Sequence, residues 1–285
     1  MSYQEYRPNS FKILPPVVKN LLIINGLFFL ASLVTGAQFG IDLADLLGLH
    51  FPLSPDFRPY QLVTYMFMHG SFMHLFFNMF ALWMFGNTLE NYWGPKRFLT
   101  YYIITGIGAA LCHYSVVYFE MKPALDVINN YIANPSLQDF QTLLNSDQLK
   151  MGTQEAVNHY NEIIPKSFSH ALATNNVHEA LQISVDYMQV YKADLLNAPV
   201  VVGASGSVFG ILLAFGMLFP NTMLYIYFAI PIKAKWFVVL YGAAELFSGL
   251  RGAPGDNVAH FAHLGGMLFG FILIKYWQKK SGNFY

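Results

Sequence analysis

Six stretches of this chain, at about residues 17–36, 64–90, 97–119, 204–219, 235–250 and 258–277, are predominantly apolar. Several reach about 17–25 residues, the length that crosses a bilayer as a helix. In lipid a helix satisfies its own backbone polar groups, so this pattern leaves little besides an all-α membrane bundle. Composition agrees: 55% of residues are hydrophobic and only 11% charged, too few charges to solvate a surface of ordinary size. Formal net charge is zero and no basic patch is interleaved with aromatics, which excludes nucleic acid as the expected partner.

Lysine and arginine set the expected orientation. Arg7, Lys12 and Lys19 lie before or at the start of the first span. Lys96 and Arg97 stand between the second and third, Lys233 and Lys235 between the fourth and fifth, and Lys275, Lys279 and Lys280 at the end of the sixth. With six spans all of them fall on one side, so both termini are expected in the cytoplasm. The run from Val17 to Val34 is longer than a signal-peptide core, so it is expected to be retained as a span. The single cysteine, Cys112, permits no disulfide within the chain and reads as a small packing residue.

Three parts follow. Residues 1–119 carry the cytoplasmic N-terminus and spans one to three, with a first loop (Asp42, Asp45, Pro52, Pro55, Asp56, Arg58, Pro59) expected at the membrane surface. Residues 120–198 are polar and acidic. Leu181, Val185, Met188 and Tyr191 recur at helical spacing, and Asn145 or Ser146 and Asn175 or Asn176 can cap helices. This segment reads as a helical insertion outside the membrane. Residues 199–285 hold spans four to six.

The fourth span opens on Gly203-Ala204-Ser205-Gly206 and runs only about 16 residues to Pro220. At ~1.5 Å per residue that is about 24 Å, short of a ~30 Å hydrocarbon core. Its start, and Ser205 with it, is therefore expected about 6 Å below the outer surface, in a water-filled cavity. His263 falls at a similar depth in span six. His74 and Asn78 share one face of span two. Gly206, Gly210 and Ala214 form a small-residue face, and so do Gly266 and Gly270 beside His263. Such faces let membrane helices approach closely, which predicts Ser205 within reach of His263.

A serine becomes a useful nucleophile when a base takes its proton, and a partly desolvated histidine stays neutral and accepts it. The oxyanion of an acyl transition state needs donors, available from His74, Asn78 and the N–H groups that open span four. No carboxylate is well placed as a third member: Asp256 lies two turns before His263, at the expected surface. A Ser-His dyad is therefore expected. Glu245, an acid inside span five, either pairs with a polar group of the cavity or faces outward. His69, at an i+5 offset, is expected to point away from His74, and His260 reads as structural. A metal site from His69, His74, His260 and His263 lacks an HExxH pattern or a nearby carboxylate set. No metal or cofactor is expected.

The stretches His69-Gly70-Ser71-Phe72-Met73-His74-Leu75-Phe76-Phe77-Asn78, Gly203-Ala204-Ser205-Gly206 and Ala262-His263-Leu264-Gly265-Gly266-Met267-Leu268-Phe269-Gly270 resemble the rhomboid intramembrane serine proteases of bacteria. Glu90-Asn91-Tyr92-Trp93-Gly94-Pro95-Lys96-Arg97-Phe98 is similar to the family's second loop. The resemblance covers the six spans but not residues 120–198. It implies cleavage of transmembrane or juxtamembrane segments of other membrane proteins, in a bacterial cell membrane. It implies Ser205 as nucleophile, His263 as base, and His74, Asn78 and the Ser205 N–H as oxyanion donors. Gly203 would lie near the passing substrate backbone, and Phe209 would pack on the base where relatives often carry tyrosine. The alternative is a rhomboid-like protein that binds membrane clients without cutting them. Oligomeric state is not legible in the sequence.

Overall fold

A computed structural model describes residues 12–145, 164–226, 229–251 and 258–280. The chain is predominantly helical and divides into two compact units. The first comprises residues 1–48, 62–113 and 202–285, and the second residues 49–61 and 114–201.

The first unit begins with α1 (Pro16–Phe39), which starts on a proline and ends at Gly40 in the left-handed conformation (φ 65°). Proline suits the first helical position because its missing N–H has no partner there anyway. Two of the free amides of this first turn are taken by a carboxylate from far along the chain: Val17 N and Val18 N donate to the two Glu90 oxygens at 2.9 and 2.8 Å. Asp42 caps the short α2 (Leu43–Leu47) through a 2.8 Å bond from Ala44 N.

The apolar stretch at 64–90 is not one helix. It breaks into α3 (Gln61–Thr64), a 3₁₀ turn (Tyr65–Phe67), an extended link, α4 (Phe72–Ala81), a π turn (Leu82–Gly86) and α5 (Asn87–Trp93). Ser71 starts α4 by accepting from His74 N, which fixes where the histidine leaves the loop.

Helix α6 (Pro95–Ala133) runs well past the expected end at residue 119. Polarity rises at Glu120, but a change from apolar to polar does not end a helix, and Pro123 is accommodated inside it. Two described helices, α1 and α6, are each long and apolar enough to cross a membrane.

In the second unit, α6 is followed by α7 (Leu137–Leu144), α8 (Ser169–Ala173) and α9 (Val177–Asn197). Ser136 caps α7 and Asn176 caps α9. Ser146 lies outside the described residues. Ile128, Phe140, Ala171, Ala180 and Met188 are fully buried at the centre, with Phe168 and Tyr187 edge-on to Phe140 and Tyr131 tilted against it. The Tyr131 hydroxyl pairs with Ser184 Oγ at 2.5 Å, and burial pushes the phenol above its ordinary pKa, so it stays neutral in that bond.

The first unit closes with α10 (Ser205–Leu218), a two-stranded antiparallel hairpin of β1 (Met223–Ile226) and β2 (Ile230–Lys233), α11 (Ala234–Arg251) and α12 (His260–Lys280). The hairpin stands where the sequence reading had only a connection. Helix α10 is the buried centre of the unit, apolar on every side. It is tied to α6 by hydrogen bonds from Tyr101 OH to Gly210 O and from Ser207 Oγ to Tyr102 O, both 2.8 Å. Such bonds hold helices together where apolar contact alone does not favour protein over lipid. Helix α11 instead leaves Trp236, Val239, Leu240, Phe247 and Leu250 exposed, a face suited to lipid.

Candidate active site

Ser205 is the first residue of α10. The residue before the helix is Ala204, whose side chain cannot cap it, so first-turn amides remain available to another acceptor. The approach is made by Gly203, in a left-handed conformation (φ 126°) that residues with a side chain rarely adopt. A Cβ at Gly203 would lie 2.7 Å from His74 Nε2 and 3.7 Å from Ser205 Oγ. The His74 ring and the Ser205 hydroxyl thus flank the bare backbone of Gly203.

His263 sits in the first turn of α12 and is buried. Its Nε2 lies 2.8 Å from Ser205 Oγ. The close approach of the helices is visible at Gly266, where an added Cβ would strike the carbonyl of Gly206. The same face of α10 is notched for α6: a Cβ at Gly206 would strike Ala109, and one at Gly210 would lie 2.7 Å from Thr105. Phe209 lies flat on the base, with ring centroids 4.2 Å apart and planes within 6°, and Tyr241 stacks on Phe209 at 5.1 Å.

Two expectations need correction. Glu245 takes the first of the two places left open for it, pairing with polar groups, and it is the expected lack of a carboxylate beside His263 that changes. Glu245 is buried, and its Oε2 lies 2.8 Å from His263 Nδ1 and 2.7 Å from His260 Nδ1. A carboxylate therefore does stand behind His263, on α11. The missing step was tertiary: α11 and α12 are consecutive, and Glu245 and His263 lie near the ends their connection joins. An acid in an apolar span demands a partner, and that was the available signal. Asp256, the acid weighed instead, lies outside the described residues.

His69 also differs from expectation. Its ring meets that of His74 edge-on at 5.0 Å, because residues 68–71 are extended and a helical offset does not apply. His260, read as structural, shares the Glu245 carboxylate.

Asn78 lies one turn beyond His74 on the same face of α4, buried, with Nδ2 lacking a hydrogen-bond partner among the described residues. A buried amide without a partner is costly and suits a site that binds a transient acceptor. Glu245, His260 and His263 also bring three ligand atoms within 4.8 Å of one another. The short contacts among them are those of a hydrogen-bonded chain ending at Ser205.

The arrangement is a hydroxyl, an imidazole and a carboxylate in line, at the free end of a helix, beside the backbone of Gly203 and the His74 ring. This geometry suits acyl transfer. A family model described as a Rhomboid domain matches residues 56–124 and 169–279, more than half of the chain. The match starts after α1 and resumes at residue 169, so it excludes the first span and includes the end of the segment expected to fall outside. The chain is also similar to an uncharacterized mitochondrial rhomboid protein of Schizosaccharomyces pombe, 34% identical over 87 residues. That similarity covers 28% of this chain and 22% of the yeast protein's length. By the extent of the family match, the chain belongs to the rhomboid family of membrane-embedded proteins.

Proposed function

We propose that the chain is an intramembrane serine endopeptidase that cleaves transmembrane or juxtamembrane segments of other membrane proteins. The observation that carries this reading is the 2.8 Å contact between Ser205 Oγ and His263 Nε2 at the head of a buried helix. In the proposed cycle, His263 takes the Ser205 proton as Oγ attacks the scissile carbonyl. His74, Asn78 and the Ser205 N–H receive the oxyanion. His263 then hands the proton to the leaving amine. Water repeats the sequence on the acyl-enzyme and restores the serine. No cofactor has a part in this chemistry.

The reading includes six spans with both termini in the cytoplasm and the insertion on the opposite side of a cell membrane. The sequence's basic residues support that orientation. A reporter fused within residues 120–198 is expected outside; a cytoplasmic signal there contradicts the topology.

The function is tested by reconstituting the full chain in liposomes with a single-pass model substrate. Wild type is expected to cleave it, and Ser205→Ala and His263→Ala each to abolish cleavage. Client binding without cleavage by wild type would favour the non-proteolytic alternative.

A further inference from the structure

We propose that Glu245 is the positioning residue of this site: it holds His263 in the one orientation and tautomer that can accept the Ser205 proton, and His260 braces it from the other side. The proposal rests on the reading of Ser205 as nucleophile and His263 as base.

Glu245 Oε2 lies 2.8 Å from His263 Nδ1 and 2.7 Å from His260 Nδ1. An ionised carboxylate only accepts, so both Nδ1 atoms carry protons and donate. A neutral imidazole protonated on Nδ1 has a bare Nε2. On His263 that bare nitrogen is the atom 2.8 Å from Ser205 Oγ. One hydrogen bond therefore sets the base's proton on the far side and its lone pair on the near side.

Stacking cannot do this alone. Phe209 holds the plane of the His263 ring, at 4.2 Å and 6°. A half-turn about the Cβ–Cγ bond leaves that plane unchanged but exchanges nitrogen for carbon at both contacts. The flipped ring stacks equally well and presents no acceptor to Ser205. Glu245 distinguishes the two, since only the observed orientation offers its carboxylate an N–H. Nothing in the Phe209 contact disfavours the wrong tautomer either, with the proton on Nε2; the Nδ1–Glu245 bond does.

His260 resolves the other difficulty. A buried carboxylate with a single partner is costly, and removing one partner of such a group leaves an uncompensated charge. The second donor keeps Glu245 ionised and fixes its oxygen. Glu245 itself gains no proton during turnover. As the Oγ–carbon bond forms, the serine proton moves to His263 Nε2, and the carboxylate faces the resulting imidazolium across Nδ1. As the carbon–nitrogen bond breaks, that proton leaves with the amine.

The test uses the full chain in liposomes, with a chelator throughout because the same three side chains could take up a metal. Glu245→Gln keeps shape and removes charge; Glu245→Asp keeps charge and shortens reach. The expected result is a fall in kcat of at least about tenfold for Glu245→Gln at unchanged KM. Glu245→Asp should recover part of it, and both proteins should unfold at wild-type temperature. In wild type, nitrogen-15 spectra of labelled histidine should show His263 protonated on Nδ1 and bare on Nε2. An unchanged kcat in Glu245→Gln, or a wild-type spectrum with the His263 proton on Nε2, overturns the proposal. A KM effect alone, or a loss matched by lower stability, also overturns it. If wild type shows the expected spectrum but cleaves nothing, it is the protease reading that fails.

Discussion

Gly266 packs directly on the carbonyl of Gly206, so closely that a Cβ at 266 would lie 1.9 Å from that oxygen. Helices α10 and α12 touch by backbone there, one turn from where Ser205 and His263 meet. The same two helices bring Ser205 Oγ to 2.8 Å from His263 Nε2. Gly266→Ala is expected to cost about 1–3 kcal/mol through overpacking and to cut cleavage sharply. Gly242→Ala on α11 is the contrast, because its Cβ would meet only the flexible Met267 side chain at 3.3 Å. Thermal unfolding in detergent and cleavage rates on both variants check this; equal effects would remove the backbone contact as the cause.

Gly203 combines two constraints. Its φ of 126° strains any side chain, by about 1–3 kcal/mol, and a Cβ there would press on the His74 ring. Gly203→Ala is expected to lose activity while α10 remains folded. Wild-type turnover by this variant would show that His74 and the approach to Ser205 tolerate displacement.

Asn78 offers a buried amide Nδ2 without a hydrogen-bond partner among the described residues. In the proposed role of oxyanion donor it would act in the transition state and not in substrate binding. Asn78→Ala is expected to lower kcat about 10²–10³-fold with little change in KM. An unchanged kcat would remove Asn78 from the site.

The second unit has a core of its own, centred on Phe140. Phe140→Ala is expected to cost about 3–5 kcal/mol of that unit's stability. Limited proteolysis should then cut within residues 114–201 faster than in wild type, and equal resistance would contradict this account of the core.

Much of the site was legible because it obeys helical spacing. The serine heads an apolar run, and glycines four apart on two runs predict a close approach; the structure has Gly266 against Gly206, while the open sides of Gly206, Gly210 and Gly270 face α6. Glu245 was seen but not assigned, because its partner depends on how α11 and α12 fold together. His69 was misjudged by carrying helical spacing into an extended link. Helix α6 continues past residue 119, the expected end of the third span, because hydropathy marks where apolar character stops, not where a helix stops. The β1–β2 hairpin, four residues a strand, left no periodicity long enough to read.

The central claim is that Ser205 is a nucleophile because His263 makes it one. Reaction of the reconstituted chain with an alkyl fluorophosphonate, followed by peptide mass spectrometry, tests it directly. The account predicts one adduct, on Ser205, absent from Ser205→Ala and formed at least about a hundredfold more slowly in His263→Ala. Labelling of Ser205 at the wild-type rate in His263→Ala, or an adduct on another residue, would contradict it.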